Sequence, residues 1–187
     1  MRTIDSLAPA VAVAATIGLV TPASAATSIY TSPEKTIVYF VGNIAPGDDA
    51  TFRNAVSNVT TTVVFADNPG GYITAALNIG EIIRSKGLET IAIRLCASAC
   101  AIAWLAGSSK SVFPGTRVGF HAAYNMQTKQ ELGATNALIG AYLTKLGYSY
   151  AAIKFFTEAP PNGMQWLTPA TARQYGIEVN IYKSPPQ

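Results

Sequence analysis

The run from Thr90 to Gly107, "TIAIRLCASACAIAWLAG", decides the fold. Residues 90–95 are mostly apolar and β-branched, which predicts a strand, and a helix is predicted to begin near Ser98 and to end at Gly107. One serine therefore lies between Cys96 and Cys100 at the point where a strand becomes a helix. A continuous apolar strand that leads into a helix is typical of a buried, mainly parallel sheet.

Two similar units precede this run. A strand is predicted over 36–41 with a helix around Phe52, and a second strand over 61–66 with a turn at 68–71 and a helix over 75–85. Residues 26–34 are expected to be a polar leading segment. After Gly107, segments 112–113 and 118–120 are expected to form a short strand pair around Pro114 and Gly115, followed by helices over 134–146, 150–156 and 167–176 and a last strand over 179–182. This alternation places the chain in the α/β class.

Composition predicts one globular domain over residues 26–187. The chain has 187 residues, of which 49% are hydrophobic and 12% charged, so it can bury a large core. Without residues 1–25 it keeps 12 basic and 9 acidic residues and the same net charge of +3. The basic residues are scattered rather than clustered, which argues against a nucleic-acid partner.

The N-terminus has the pattern of a secretory signal peptide. Met1 and Arg2 precede an apolar run over 7–20, and the small-x-small pattern that signal peptidase cleaves ends at Ala25. We therefore expect cleavage after Ala25 and a periplasmic or secreted protein. If the segment were retained, it would serve as a membrane anchor, and this alternative stays open.

An oxidising compartment changes the interpretation of the two cysteines. Cys96 and Cys100 are four residues apart across a strand-to-helix turn, where a disulfide can close, and two buried free thiols are the alternative. A zinc site would need two further ligands, and the single histidine lies 21 residues beyond Cys100. We therefore expect no metal site.

Three features lie at predicted strand ends, where parallel sheets collect functional groups. Gly71 belongs to a glycine pair after the second strand, Ser98 follows the third strand, and His121 follows segment 118–120. Ser98 could be a nucleophile on the first turn of a helix, with the N–H of Ala99 stabilising an oxyanion, or it could simply cap the helix. His121 favours the first interpretation because a serine nucleophile needs a base. The sequence lacks the G-x-S-x-G motif of α/β-hydrolases.

Three segments, "NPGGYITAALNIGEII", "ASACAIAWLAGSSKSVFPGTRVGFH" and "WLTPATARQYG", resemble the Clp protease proteolytic subunit and its relatives in the ClpP/crotonase superfamily, particularly the exported Clp-like branch. The resemblance covers about residues 60–178, with Ser98 27 residues after Gly71 and His121 23 residues after Ser98. It implies a spiral of repeated ββα units with a mainly parallel sheet. It also implies that Ser98 is the nucleophile, that His121 is the general base, and that the N–H groups of Gly71 and Ala99 form the oxyanion hole.

The chain departs from the resemblance at the third member of the triad. The aspartate of the Clp subunit aligns with Met164, and no aspartate follows Asp67. Asn162 is the leading candidate to orient His121, and Glu158 is less well placed. Asn162 lies in "PPNG", however, where an Asn-Gly pair also suits a tight turn.

The sequence thus predicts an exported serine hydrolase, most simply a peptidase that forms an acyl-enzyme on a peptide or protein substrate without a cofactor. The alternative is a pseudoenzyme that keeps the fold as a binding or assembly module. A homo-oligomer is compatible with the resemblance. The segment that would mediate ring association looks shorter than in the Clp subunit, so neither a ring nor an ATPase partner is assumed.

Overall fold

The computed structural model describes residues 27–182, so the predicted signal peptide lies outside the described residues. The described part contains eight strands and six helices. In chain order they are β1 (Ser28–Thr31), β2 (Ile37–Val41), α1 (Asp48–Ala55), β3 (Thr62–Asn68), α2 (Ile73–Ser85), β4 (Glu89–Ala97), α3 (Ala99–Trp104), β5 (Lys110–Val112), β6 (Arg117–Phe120), α4 (Gly133–Lys145), α5 (Tyr150–Thr157), β7 (Gln165–Trp166), α6 (Pro169–Gln174) and β8 (Asn180–Ile181).

The sheet is mainly parallel, as the alternation of strands and helices predicts. Strands β2, β3 and β4 are parallel neighbours, and β1 closes one edge antiparallel to β2. On the other side, β5 and β6 both pair in parallel with β4, β8 pairs with β5, and β7 pairs antiparallel with β6. The α/β class is therefore confirmed, and the ends of β3, β4 and β6 lie side by side.

The two short strands around Pro114 were expected to pair with each other, and this prediction is wrong because both pair with β4. Strand β4 is nine residues long, so one edge accommodates two short strands in succession: residues 90–92 pair with β5 and residues 95–97 with β6. The turn at Pro114 and Gly115 therefore carries the chain along the edge of β4 instead of reversing it. The leading segment also contains the strand β1, and the short strand β7 was not predicted from the sequence.

Adjacent strands bulge just before the site. The register between β3 and β4 shifts between Ala66 and Asn68, and both Asp67 and Arg94 have positive φ values, 47° and 62°. Their exposed side chains form a two-point ion pair, and hydrogen bonding from the Arg94 guanidinium lowers the pKa of the Asp67 carboxyl below its usual value. The bulge increases local twist and redirects the ends of both strands.

The core lies between the sheet and helices α2 to α5. All six residues of α3 are buried, which follows from a sequence of Ala, Cys, Ile and Trp alone. Helices α2 and α4 approach closely at Gly80, because a Cβ there would overlap the Tyr142 hydroxyl. That hydroxyl is buried without a hydrogen-bond partner, and burial raises the pKa of Tyr142. Within residues 27–182, no helix has both the length and the apolar character needed to cross a membrane.

Candidate active site

Ser98 is held in a conformation that few residues other than glycine adopt. It joins β4 to α3 with φ 56° and ψ −126°, and its N–H donates to the Gly119 carbonyl at 2.8 Å, which extends the ladder between β4 and β6. Although Ser98 occupies the N-cap position of α3, its side chain makes no capping hydrogen bond. A backbone of this kind costs about 1–3 kcal/mol and is characteristic of functional turns. The capping interpretation of Ser98 therefore does not hold in the structure.

The glycine pair after β3 lets the backbone approach Ser98 closely. The Asn68 side chain accepts a hydrogen bond from the Gly70 N–H at 2.9 Å, which shapes the turn. A Cβ at Gly70 would lie 2.7 Å from the Ser98 Cβ, and a Cβ at Gly71 would overlap the Ile44 carbonyl. Both glycines have positive φ values, 104° and 137°. The turn therefore requires glycine at both positions.

Two main-chain N–H groups beside Ser98 are available to a ligand. Around Gly71, the hydrogen bonds to Ile44 use the Gly70 carbonyl at 2.7 Å and the Tyr72 N–H at 2.8 Å, so the Gly71 N–H makes no hydrogen bond among the described residues. Ala99 is the first residue of α3, where an N–H has no partner within the helix. These are the two donors that the sequence assigned to an oxyanion hole.

One cavity of about 220 Å³ brings the predicted residues together. Ser98, His121, Gly71 and Ala99 all line it. None of the described residues along its surface is Asp, Glu, Lys or Arg, and most of its wall is apolar: Ile73, Ile102, Ala123, Met126, Leu132 and Ile139. The strand register brings Ser98 and His121 to the same cavity. Ala97 pairs with Gly119, and the chain then leaves β4 and β6 at the same end of the sheet.

The geometry of His121 defines its tautomer. Its Nδ1 lies 2.7 Å from the Ala122 carbonyl oxygen, which can only accept, so Nδ1 carries the proton. In the neutral imidazole, Nε2 keeps a lone pair and can act as a base. The Tyr124 ring packs at an angle against the imidazole, with 5.2 Å between ring centroids. His121 is therefore oriented by a backbone carbonyl.

Among the described residues, neither Asn162 nor Glu158 is hydrogen-bonded to His121, whose Nδ1 contacts the Ala122 carbonyl instead. Asn162 is exposed in a turn closed by the hydrogen bond from the Gly163 N–H to the Pro160 carbonyl at 2.8 Å, and it does not line the cavity. Glu158 lies at the end of α5, with a carboxylate oxygen 3.8 Å from Lys154 Nζ. The Asn-Gly pair serves the turn, as the alternative interpretation of the sequence proposed. The place assigned to Asn162 is taken by the Ala122 carbonyl.

The residue that aligns with the Clp aspartate has a packing role. Met164 lies directly over Gly119, where an added Cβ would lie 2.8 Å from the thioether sulfur. Trp166 covers the same glycine. Two apolar side chains therefore pack on β6 at Gly119, and position 164 supplies no carboxylate to His121.

A disulfide spans the serine. Cys96 at the end of β4 and Cys100 in α3 are bonded, with 5.3 Å between their Cα atoms, and both are fully buried. The bond joins the two elements that meet at Ser98. Among residues 27–182 no three His, Cys, Asp or Glu side chains are grouped as a metal site would require.

Sequence reasoning missed two features of the site. The Ala122 carbonyl carries no signal, because every residue has a carbonyl. Tyr124 lies three residues after His121, and its contact with the imidazole depends on a loop whose path the sequence pattern does not predict.

The comparisons with solved structures agree on the architecture. The ClpP protease catalytic domain from Plasmodium falciparum matches with a TM-score of 0.60 and 22% identity, over 82% of this chain and 89% of that chain. An asparagine-to-aspartate mutant of ClpP1 from Listeria monocytogenes matches with a TM-score of 0.59 and 19% identity, over 80% and 94%. A serine-to-alanine mutant of the 1510-N membrane-bound stomatin-specific protease matches with a TM-score of 0.56 and 22% identity, over 76% of each chain.

These similarities establish the fold. No family model matches the sequence, and no curated protein matches it. The identities to the solved structures are 22% or lower. The chain has the ClpP-like fold, as the resemblance implied.

Proposed function

With the ClpP-like fold as the starting point, we propose that this protein is an exported serine hydrolase that cleaves peptide bonds through an acyl-enzyme on Ser98. The observation that carries the proposal is the strained, uncapped Ser98 in one cavity with His121. A serine kept in an unfavourable backbone conformation without a capping bond has no evident structural use. A serine that lines one cavity with a histidine and with the backbone of Gly71 and Ala99 can serve as a nucleophile.

The reaction follows from the donors and acceptors around the cavity. Ser98 Oγ attacks the substrate carbonyl while its proton passes to Nε2 of His121, and the N–H groups of Gly71 and Ala99 hold the oxyanion. The tetrahedral intermediate collapses when His121 returns the proton to the leaving amine. Water then attacks the acyl-enzyme by the same route in reverse, with the proton passing again through Nε2.

Because no carboxylate among residues 27–182 is hydrogen-bonded to His121, we expect a slow enzyme. A backbone carbonyl orients the imidazole but brings less negative charge to the imidazolium that forms in the transition state. The three solved neighbours are all proteases by name, which supports a peptide bond as the scissile bond. The apolar, uncharged wall of the cavity suits an uncharged side chain of the substrate.

A fluorophosphonate probe on the purified mature protein tests the proposal. We expect the probe to label the wild type at Ser98 and to leave Ser98→Ala unlabelled. Labelling that persists in Ser98→Ala would assign the nucleophile to another residue. If neither protein were labelled, the alternative of a pseudoenzyme that uses the fold for binding or assembly would replace the proposal.

A further inference from the structure

The peptide unit between Ala122 and Ala123 is bonded at both of its polar groups. The Ala122 carbonyl accepts from His121 Nδ1 at 2.7 Å, and the Ala123 N–H donates to the side-chain oxygen of Asn136 at 2.7 Å. A trans peptide is planar, so its carbonyl and its N–H point in opposite directions. The carbonyl cannot turn away from His121 unless the N–H also leaves Asn136.

The Asn136 side chain makes two hydrogen bonds to Ala123. Its Nδ2 donates to the Ala123 carbonyl at 3.3 Å, and the Leu132 N–H donates to that carbonyl at 2.9 Å. The Asn136 N–H in turn donates to the Leu132 carbonyl at 2.8 Å. Asn136 lies in the first turn of α4, and its side chain is half-buried. A regular helix therefore holds the irregular segment that follows β6.

We propose that Asn136 is a positioning residue for the hydrolysis described above, and this inference rests on that proposed function. Its side chain fixes the peptide that orients His121, which keeps Nδ1 protonated and Nε2 free for Ser98. Asn136 contacts neither His121 nor the reacting atoms. Asn136 thus helps to orient His121 indirectly, through the peptide between Ala122 and Ala123, as the aspartate of a triad would do directly. Hydrogen bonds linked in this way also strengthen one another.

The loop that packs on His121 carries two charged residues, Lys129 and Glu131, and the backbone of Glu131 pairs with that of Tyr124. Tyr124 packs against the imidazole, and Lys129 Nζ lies 5.1 Å from the centre of the Tyr124 ring. No carboxylate among the described residues lines the cavity. A carboxylate introduced at position 136 would therefore be a new negative charge close to His121.

The first test is Asn136→Ala. With the acceptor of the Ala123 N–H removed, we expect kcat for a peptide substrate, or the maximal rate of fluorophosphonate labelling, to fall about tenfold or more, because one orienting hydrogen bond contributes about that much. KM should stay within about twofold, since Asn136 does not line the cavity. Thr144→Ala is the matched control, because Thr144 lies on the same helix and its side chain bonds only to the Gly140 carbonyl.

The second test is Asn136→Asp. A carboxylate oxygen can accept from the Ala123 N–H as the amide oxygen does, and the Ala123 carbonyl keeps the Leu132 N–H. The second carboxylate oxygen would face the Ala123 carbonyl without a proton to donate, so we expect this variant to recover only part of the rate lost in Asn136→Ala. Its negative charge favours the imidazolium, so the acid limb of its pH–rate profile should move to higher pH.

The outcomes separate the inference from the function on which it rests. An unlabelled wild type would overturn the proposed function. A labelled wild type with Asn136→Ala equal to it in rate would overturn the role of Asn136 alone. Equal losses in the Ala and Asp variants, with the acid limb unmoved, would show that Asn136 only supports the fold. If thermal unfolding showed that Asn136→Ala is not folded, the rate and pH profile of Asn136→Asp would decide whether Asn136 is a positioning residue.

Discussion

At the scale of single residues, Ser98 shows a conflict between stability and chemistry. Its φ of 56° would suit glycine better than serine, and no hydrogen bond from its side chain to α3 offsets the strain. The conformation presents the hydroxyl to the cavity that His121 also lines. On the proposed function, this strain is the cost of placing a nucleophile at a tight turn.

The conflict predicts that Ser98→Gly is more stable than the wild type. Glycine relieves the positive φ, and although it adds entropy to the unfolded chain, we expect a net gain of about 1 kcal/mol in the free energy of unfolding. Ser98→Ala keeps the strain and should stay within about 0.5 kcal/mol of the wild type, whereas loss of a real cap would cost about 0.5–2 kcal/mol. Urea denaturation of the three proteins measures both differences. A destabilised Ser98→Gly would contradict the interpretation.

The sequence predicts only part of the site at this scale. Ser98, His121, Gly71 and Ala99 could be selected because strand ends and residue types mark them. The sequence could not show whether the asparagine at 162 or the one at 136 acts on His121, because this depends on which loop reaches the histidine. In the structure Asn162 closes a turn, while the side chain of Asn136 bonds to the segment after the histidine.

At the scale of elements, the Cys96–Cys100 disulfide joins β4 to α3 across Ser98. We expect the double variant Cys96→Ala, Cys100→Ala to remain folded but to lose about 2 kcal/mol of stability, as expected for a very short closed loop. The rate of fluorophosphonate labelling should fall because the turn can relax away from its strained conformation. Labelling kinetics beside thermal unfolding measure both effects.

Mass spectrometry without reduction tests the bond itself. The mature wild type should show a mass lower than that of the reduced protein by two hydrogen atoms. Two alkylatable thiols in protein purified from a secretory host would contradict the disulfide. A labelling rate that is unchanged in the double variant would show that the bond serves stability only.

The contact between α2 and α4 predicts a stabilising substitution. The Tyr142 hydroxyl is buried without a hydrogen bond, and such a group costs about 1–3 kcal/mol. Tyr142→Phe removes it and keeps the ring, so the free energy of unfolding should rise by about 1 kcal/mol, measured by urea denaturation. Tyr148→Phe is the matched control and should lower stability, because the Tyr148 hydroxyl donates to the Leu105 carbonyl at 3.0 Å. A loss in both variants would mean that the Tyr142 hydroxyl is satisfied in solution.

The long elements could be predicted from the sequence, while the short strands could not. Helices α2, α4 and α5 and strands β2 to β4 are long enough, and contain enough apolar residues, to be recognised from the sequence. Strands β1 and β7 have only four and two residues, at the periphery of the sheet, and are too short to be recognised. The partners of β5 and β6 depend on the length and bulge of β4, which are properties of the assembled sheet.

At the scale of the whole molecule, the predicted signal peptide determines where the disulfide can form. Expression with the native N-terminus in a secretory host should give a protein that begins at Ala26, as N-terminal sequencing would show. A variant with Ala25→Leu places a large residue at the cleavage position and should accumulate uncleaved precursor. A mature protein that still begins at Met1 would favour the retained membrane anchor.

The close contact at Gly80 affects how the chain can vary. Gly80 does not line the cavity, yet a side chain there would overlap the hydroxyl end of Tyr142 and force that side chain of α4, the helix that bears Asn136, to move. In a library of random variants selected for hydrolysis, Gly80 should therefore tolerate replacement as poorly as a residue of the cavity wall. Such a screen would list Gly80 among the residues needed for hydrolysis, although its replacement would act through the contact with Tyr142 and not on the cavity itself.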